Sequence, residues 1–278
     1  MNSVFPILKS SLSIMIPVFF AALGGLFPAL AGALNIALEG LLLAGAFSSL
    51  TVFYFTGSAF AAVLAAISAS LLISALHIFA SFKLRANLFI TGFAVNLFSS
   101  GICVVLSEKI HKTRGVVTAA GALSGQGLLT WYLVTAAILL LLSVLAVYKM
   151  PFGYRLRACD KNSSSLISLG INPENYQKTA ILISGFFCGI GGSFLSLNLG
   201  AFVPGMSAGK GWIALAVIFL GAKKPLGILA AAFVFALAES FSNYAQGLWS
   251  LPADFILAFP YFCTLIAIII VSVVEKKK

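Results

Sequence analysis

The chain has 278 residues, of which 61% are hydrophobic and 9% charged; a soluble domain carries about 25% charged residues, so the composition excludes one and describes an integral membrane protein. The net charge of +10, from 17 Lys and Arg against 7 Asp and Glu, is no nucleic-acid footprint, because the basic residues sit in loops between apolar runs, where topology determinants belong. Those runs are long enough to span a bilayer as helices of about 20 residues, which excludes a transmembrane barrel with its alternating segments of about 10.

Helices are predicted at 11–31, 34–55, 58–81, 87–106, 130–148, 179–199, 205–221, 225–247 and 254–274. The fold class is therefore all-α: a polytopic transmembrane protein of about 8–10 helices forming a single domain over 1–278. The first apolar stretch, Ser11 to Leu30, is too long for a signal-peptide core and only Lys9 precedes it. It reads as an uncleaved helix, although Ala31-Gly32-Ala33 resembles a cleavage site.

In the second segment, Asn35 and Glu39 are four apart and so share one helix face. Asn is a favoured N-cap and an acid in the first turn complements the helix dipole. Asn35 is thus predicted to start a half-helix inside the membrane, with Gly32 supplying the break; broken helices of this kind line substrate paths. Farther on, Asn96, Ser99 and Ser100 give the fourth helix a polar face. The segment 107–129 is polar and Gly-rich, and reads either as a contact for an external donor of substrate or as an ordinary surface loop.

The longest polar segment is 150–178, MPFGYRLRACDKNSSSLISLGINPENYQK. Asn162 or a following Ser can cap a short helix and Gly170 can close it. Leu166, Ile167 and Leu169 give that helix an apolar side, with Arg155, Arg157 and Lys161 leading in. Such a helix lies on lipid or inserts into a groove on a partner. In the 225–247 helix, Glu239, Asn243 and Gln246 fall at i, i+4 and i+7, a polar stripe that belongs against a cavity or a partner helix. Taken singly, each intramembrane polar group reads equally well as interhelical glue worth about 0.6 kcal/mol; the three together point to an aqueous path.

With Lys276, Lys277 and Lys278 placed inside, the nine helices put twelve basic residues inside and five outside (Lys9, Lys109, Lys112, Arg114 and Lys210). That is the positive-inside pattern, and it leaves the N-terminus outside. A shift of 176 residues lays Gly24 on Gly200, Pro28 on Pro204 and Gly45 on Gly221. The first helix and the one at 179–199 then cross in opposite senses, a candidate inverted repeat.

Cys103, Cys159, Cys188 and Cys263 are scattered without a CxxC, and His77 and His111 are isolated, so neither a metal site nor a disulfide framework is expected. Walker A, HExxH and GxSxG patterns are absent; Gly209-Lys210-Gly211 lacks the spacing and hydroxyl of a phosphate loop. No enzyme chemistry is indicated. A self-contained secondary transporter coupling through Glu39 or Glu239 remains as a rival.

The run PFGYRLRACDKNSSSLISLGINPENYQKTAILISGFFCGIGG resembles the coupling segment of ABC-importer permeases of the branched-chain amino acid, ribose and nucleoside superfamily. Asn35-Ile36-Ala37-Leu38-Glu39-Gly40 resembles that family's NIGxEG motif. Gly211-Trp212-Ile213-Ala214 through Leu220-Gly221 and Pro225-Leu226-Gly227 resembles its GxxxIAxAxxxxGxxxPLG. Leu251-Pro252 with Pro260-Tyr261 and Thr264-Leu265 is similar to the final helix of its nucleoside and simple-sugar branch. Asp160 stands where the family has Gly, Ser164-Ser165 where it has an Ala pair, and Ala37 where it has Gly.

The resemblance implies a permease subunit in the bacterial plasma (inner) membrane. It would move nucleosides, or alternatively a simple sugar such as ribose or galactose, by alternating access. Implied partners are a cytoplasmic ABC ATPase, a second permease chain (a different chain or an identical one), an extracytoplasmic substrate-binding protein and membrane lipid, with no nucleic acid. The chain itself would bind no cofactor, ATP and Mg being used by the ATPase. By the same analogy Arg155, Arg157, Asp160, Leu166, Ile167, Leu169 and Gly170 would contact the ATPase. Asn35, Glu39, Asn96, Trp212, Glu239 and Asn243 are the candidates for the translocation path; motif matches bear on Asn35, Glu39 and Trp212 only.

Overall fold

The computed structural model describes residues 4–119 and 126–246. In chain order the helices are α1 (Val4–Leu30), α2 (Leu38–Thr56), α3 (Ala59–Ile78, continued by a π-helical turn Phe79–Lys83), α4 (Leu88–His111), α5 (Gln126–Tyr148), α6 (Pro151–Lys161), α7 (Ser163–Ser168), α8 (Pro173–Leu199), α9 (Lys210–Leu220) and α10 (Pro225–Gln246). Seven of these (α1 to α5, α8 and α10) are long and apolar enough to cross a membrane among the described residues. The chain is a multi-pass membrane protein. The helix predicted at 254–274 lies outside the described residues, as do Cys263 and the side chain of Gln246.

Burial separates a core from a periphery. The apolar windows of α1, α2 and α8 are 83%, 67% and 78% buried, whereas those of α3, α4 and α5 are near one quarter. A helix apolar on all sides belongs inside other helices, and α1, α2 and α8 meet that description. Their approach depends on small residues, as is usual where lipid tails compete equally for apolar surface. A Cβ on Gly189 of α8 would stand 2.6 Å from Ile67 Cα in α3, and one on Gly24 of α1 would stand 2.6 Å from Phe187 Cβ.

Two ends of the bundle can be told apart by contact. At one end lie the turn after α1, the π turn, α6, α7 and the start of α8: Gln177 Nε2 donates to Ala31 O (3.1 Å), Lys223 Nζ donates to Ala29 O (3.4 Å), and the Lys178 ammonium lies over Phe82. At the other end Thr51 meets His111 (3.1 Å), Ser240 Oγ donates to Ile7 O (3.0 Å), and the two-residue strands β1 (Val117–Thr118) and β2 (Ala201–Phe202) pair antiparallel. Of the basic residues described, nine sit at the first end and four at the second, with Lys210 between. The excess identifies the first end as the inner one. On that assignment α1 runs inward and its N-terminal end lies outside.

Several boundaries move. The helix predicted at 205–221 begins only at Lys210, because Gly205, Ala208 and Gly209 all have positive φ (74°, 46° and 81°) and carry the chain through a re-entrant turn. The loop before 179 is helical from Pro173: Asn172 Oδ1 accepts the Glu174 N–H (2.9 Å) and Pro173 occupies the first helical position. The 176-residue shift is also corrected. The ends of α1 and α8 are 169 residues apart (30 and 199), and the starts of α2 and α9 are 172 apart (38 and 210). Gly24 is buried within α1 while Gly200 caps α8 at φ 66°, so these two are not equivalent.

Candidate functional site

The break between α1 and α2 is held by side-chain amides. After Leu30 the chain turns at Gly32 (φ 70°) and does not resume a helix until Leu38. Asn35 is therefore not the N-cap, and it does not share a helix face with Glu39. The N-cap is Ala37 at φ −74°, with no side-chain cap of its own and no need of the glycine that the motif has there. The orphan N–H groups of the first turn find other acceptors. Asn35 Oδ1 takes Ala37 N–H (2.9 Å), while its Nδ2 donates to Ser184 Oγ in α8 (2.6 Å). Asn96, reaching from α4, accepts Gly40 N–H (2.7 Å) and donates to Ile36 O (2.9 Å). Both amides are thus spent on the break. Ser99 is buried beside them and Ser100 is exposed, so the polar face expected on α4 divides in two.

Glu39 lies in the first turn of α2, as expected, and has a second use beyond that helix. Its carboxylate crosses to α9, where Gly209 N–H donates to Oε1 (2.9 Å) and Gly211 N–H to Oε2 (2.6 Å). One carboxylate therefore sits at the positive ends of two helices, α2 and α9. Gly211 permits the contact, since a Cβ there would overlap the Glu39 backbone. A helix N-terminus is a ready anion site; at Gly209-Lys210-Gly211 the anion is the protein's own carboxylate. The depth follows from helix length. α9 has 11 residues, about 16 Å at 1.5 Å each, and its far end is tied through Lys223 to Ala29 at the inner end. Its N-terminus thus lies about halfway through a hydrocarbon core of roughly 30 Å. Glu39 is partly exposed there.

Lys210, assigned to the outer side by charge counting, belongs to this junction. Its ammonium stands 3.8 Å from Glu239 Oε1 of α10, with the two side chains 15% and 23% exposed. Glu239 Oε2 is buried and has no hydrogen-bond partner among the described residues. Asn243, one turn on, is exposed, and Trp212 packs on Phe93 of α4 with ring centroids 5.0 Å apart. The structure so gathers Asn35, Glu39, Asn96 and Trp212 around the α2 and α9 starts and joins Glu239 to them through Lys210; Asn243 stands apart. Lys210 and Phe93 were missed. A lysine between two glycines in an apolar stretch, with an acid on the next helix, was the available signal for the first. Nothing in the sequence signalled the second.

At the inner end the segment 150–178 holds two short helices rather than one, followed by the start of α8. The basic lead-in forms α6, and α7 follows after Asn162, which stands at the junction without a side-chain cap. Arg157 turns back to donate to Val147 O, and its guanidinium lies over Tyr148 and Tyr154. Arg155 donates to the Tyr176 hydroxyl (2.9 Å). The arginines therefore brace α6 against α5 and α8. Cys159 Sγ donates to Pro173 O (3.9 Å), and burial pushes its thiol pKa up. Asp160 is exposed and lies against Gly32. The predicted apolar side of the short helix is also divided: Leu166 is buried, while Ile167 and Leu169 are 64% and 74% exposed. Gly170 closes the turn at φ 73°.

A separate cavity of about 580 Å³ lies between α3, α5 and α8, lined by Phe60, Val63, Trp131, Tyr132, Ile190 and Leu197 among others. It holds no charged side chain and does not connect these polar groups.

The family described as the branched-chain amino acid transport system / permease component matches residues 7–273. The chain belongs to that family. Among curated relatives, the permease is 29% identical to the guanosine ABC transporter permease protein NupQ of Bacillus subtilis over 94% of its own length and 90% of the relative's. It is 27% identical to the nucleoside ABC transporter permease protein NupC of Lactococcus lactis, covering 96% and 92%. In fold the permease is similar to PsaBC from Streptococcus pneumoniae, solved in complex with Fab, with a TM-score of 0.55 over 95% of the permease and 91% of that chain at 13% identity.

Proposed function

We propose that this chain is the plasma-membrane permease subunit of an ABC importer for nucleosides. The supporting observation is that two relatives named for guanosine and nucleoside transport align along nine-tenths or more of both chains. In this reading the polar junction of α2, α4 and α9 borders the path, and the facing starts of α2 and the half-length α9 allow it to open to one side at a time. A cytoplasmic ATPase, using ATP and Mg, would dock on the exposed Ile167 and Leu169 of α7, with Asp160 and Gly170 beside them. Arg155 and Arg157 keep that platform in place. A second permease chain would complete the path, and a substrate-binding protein would deliver solute at the outer end near 107–119.

Two properties of the chain agree with this. The α9 start, a helix N-terminus of the kind that binds phosphate, is filled by Glu39, and the fixed polar contacts at mid-depth serve the protein's own backbone. A path of that kind leaves affinity to an external receptor. The test is uptake of labelled guanosine by cells expressing the chain with its ATPase and receptor. Energy-dependent uptake, competed by other nucleosides but not by ribose or galactose, is expected; competition by the sugars alone would overturn the substrate reading.

A further inference from the structure

The α4 and α9 faces carry aromatic rings that the polar junction does not use. Phe93 and Trp212 are tilted at 42° with centroids 5.0 Å apart, and Phe89 continues the series at 5.8 Å from Phe93. On α9, Phe219 stands seven residues after Trp212 and so on the same stripe. All four rings are roughly half-exposed. α4 begins at the inner end and α9 finishes there, so both rows run from mid-depth toward the inner mouth.

One observation separates this surface from a lipid-facing one. The partly exposed Glu39 carboxylate stands at its head, bonded to the residue beside Trp212, and a carboxylate at that depth faces water or protein.

We infer that Trp212 and Phe93, continued by Phe89 and Phe219, form a stacking track for the planar heteroaromatic base of the solute. Base-on-ring stacking tolerates different bases because each has a π-face. It also suits a path that must release what it holds, since tilted, half-exposed rings enclose nothing. A sugar offers no flat π-face. The inference rests on the nucleoside reading above and adds the residues that would sense the base.

The test uses the complete importer in proteoliposomes, with permease, ATPase and receptor, and compares purine with pyrimidine nucleosides. Trp212→Leu and Phe93→Leu are expected to lower kcat/KM for uptake by about tenfold, the loss expected for one stacking ring. The loss should be larger for purines, and Trp212→Phe should restore most of it. Nucleoside uptake with rate and base preference unchanged within twofold in Trp212→Leu overturns the track while leaving the nucleoside reading intact. Failure of the wild-type complex to carry any nucleoside overturns both. Should the leucine variants fail to assemble, Trp212→Cys in a chain stripped of its native cysteines provides a second measurement. Its alkylation by a membrane-permeant maleimide should be slowed by guanosine, and equal rates with and without guanosine overturn the inference.

Discussion

Glu39 shows how one carboxylate settles the geometry of a membrane site. Two backbone N–H groups of α9 end on it, and removing it would leave both without an acceptor at mid-depth. Each unsatisfied donor costs about 1–3 kcal/mol. Glu39→Ala is therefore expected to lower the Tm in detergent by several degrees and to abolish uptake, with Glu39→Gln intermediate because a neutral amide oxygen is the weaker acceptor. Gly211→Ala should be as severe, since its Cβ would overlap the Glu39 backbone, whereas nothing stands within 4 Å of a Cβ on Gly101. A melting curve of Gly101→Ala no lower than wild type, beside a destabilised Gly211→Ala, checks that the crossing itself is the constraint. The sequence marked Asn35, Glu39 and Trp212 as unusual residues. It could not say that the Asn35 and Asn96 amides serve the broken backbone, nor that Glu39 bonds across 170 residues, because both depend on which helix starts face each other.

The elements divide into those legible by apolar run and those set by packing. Long spans were visible because 20 apolar residues have few alternatives, and their starts shifted where caps and prolines extended them, as Asn172-Pro173 does for α8. α9 was drawn too long because an apolar count does not register the positive φ at Gly205, Ala208 and Gly209. In 150–178 the turn at Gly170 was legible. The separation of α6 from α7 was not, since it depends on Arg157 reaching Val147 and Leu166 turning inward. That division predicts different phenotypes along one short helix. Ile167→Glu and Leu169→Glu should prevent co-purification of the ATPase while melting temperature stays within about two degrees, as surface changes usually do. Leu166→Ala should instead lower stability by about 2–5 kcal/mol, seen as a drop in Tm and in folded yield.

For the molecule as a whole, the basic residues gathered at the α6–α7 end, nine against four, fix orientation. Single cysteines at Ser164 and at Thr113, in a chain without its native cysteines, should react with an impermeant maleimide from the inside and the outside respectively. The reverse pattern would invert the topology. The architecture has one half-length helix, α9, whose start is tied to that of α2 by Glu39, an exposed apolar step on α7, and no nucleotide-binding pattern in its sequence. In the proposed reading such a subunit is driven by another protein. The most direct measurement is solute uptake by the purified chain in proteoliposomes, first alone under an imposed proton or sodium gradient, then with its ATPase and receptor supplied with ATP. No gradient-driven uptake by the chain alone, and ATP-dependent nucleoside uptake by the complete set, is the predicted result. Uptake by the chain alone under either gradient would contradict it and make Glu39 or Glu239 a coupling site.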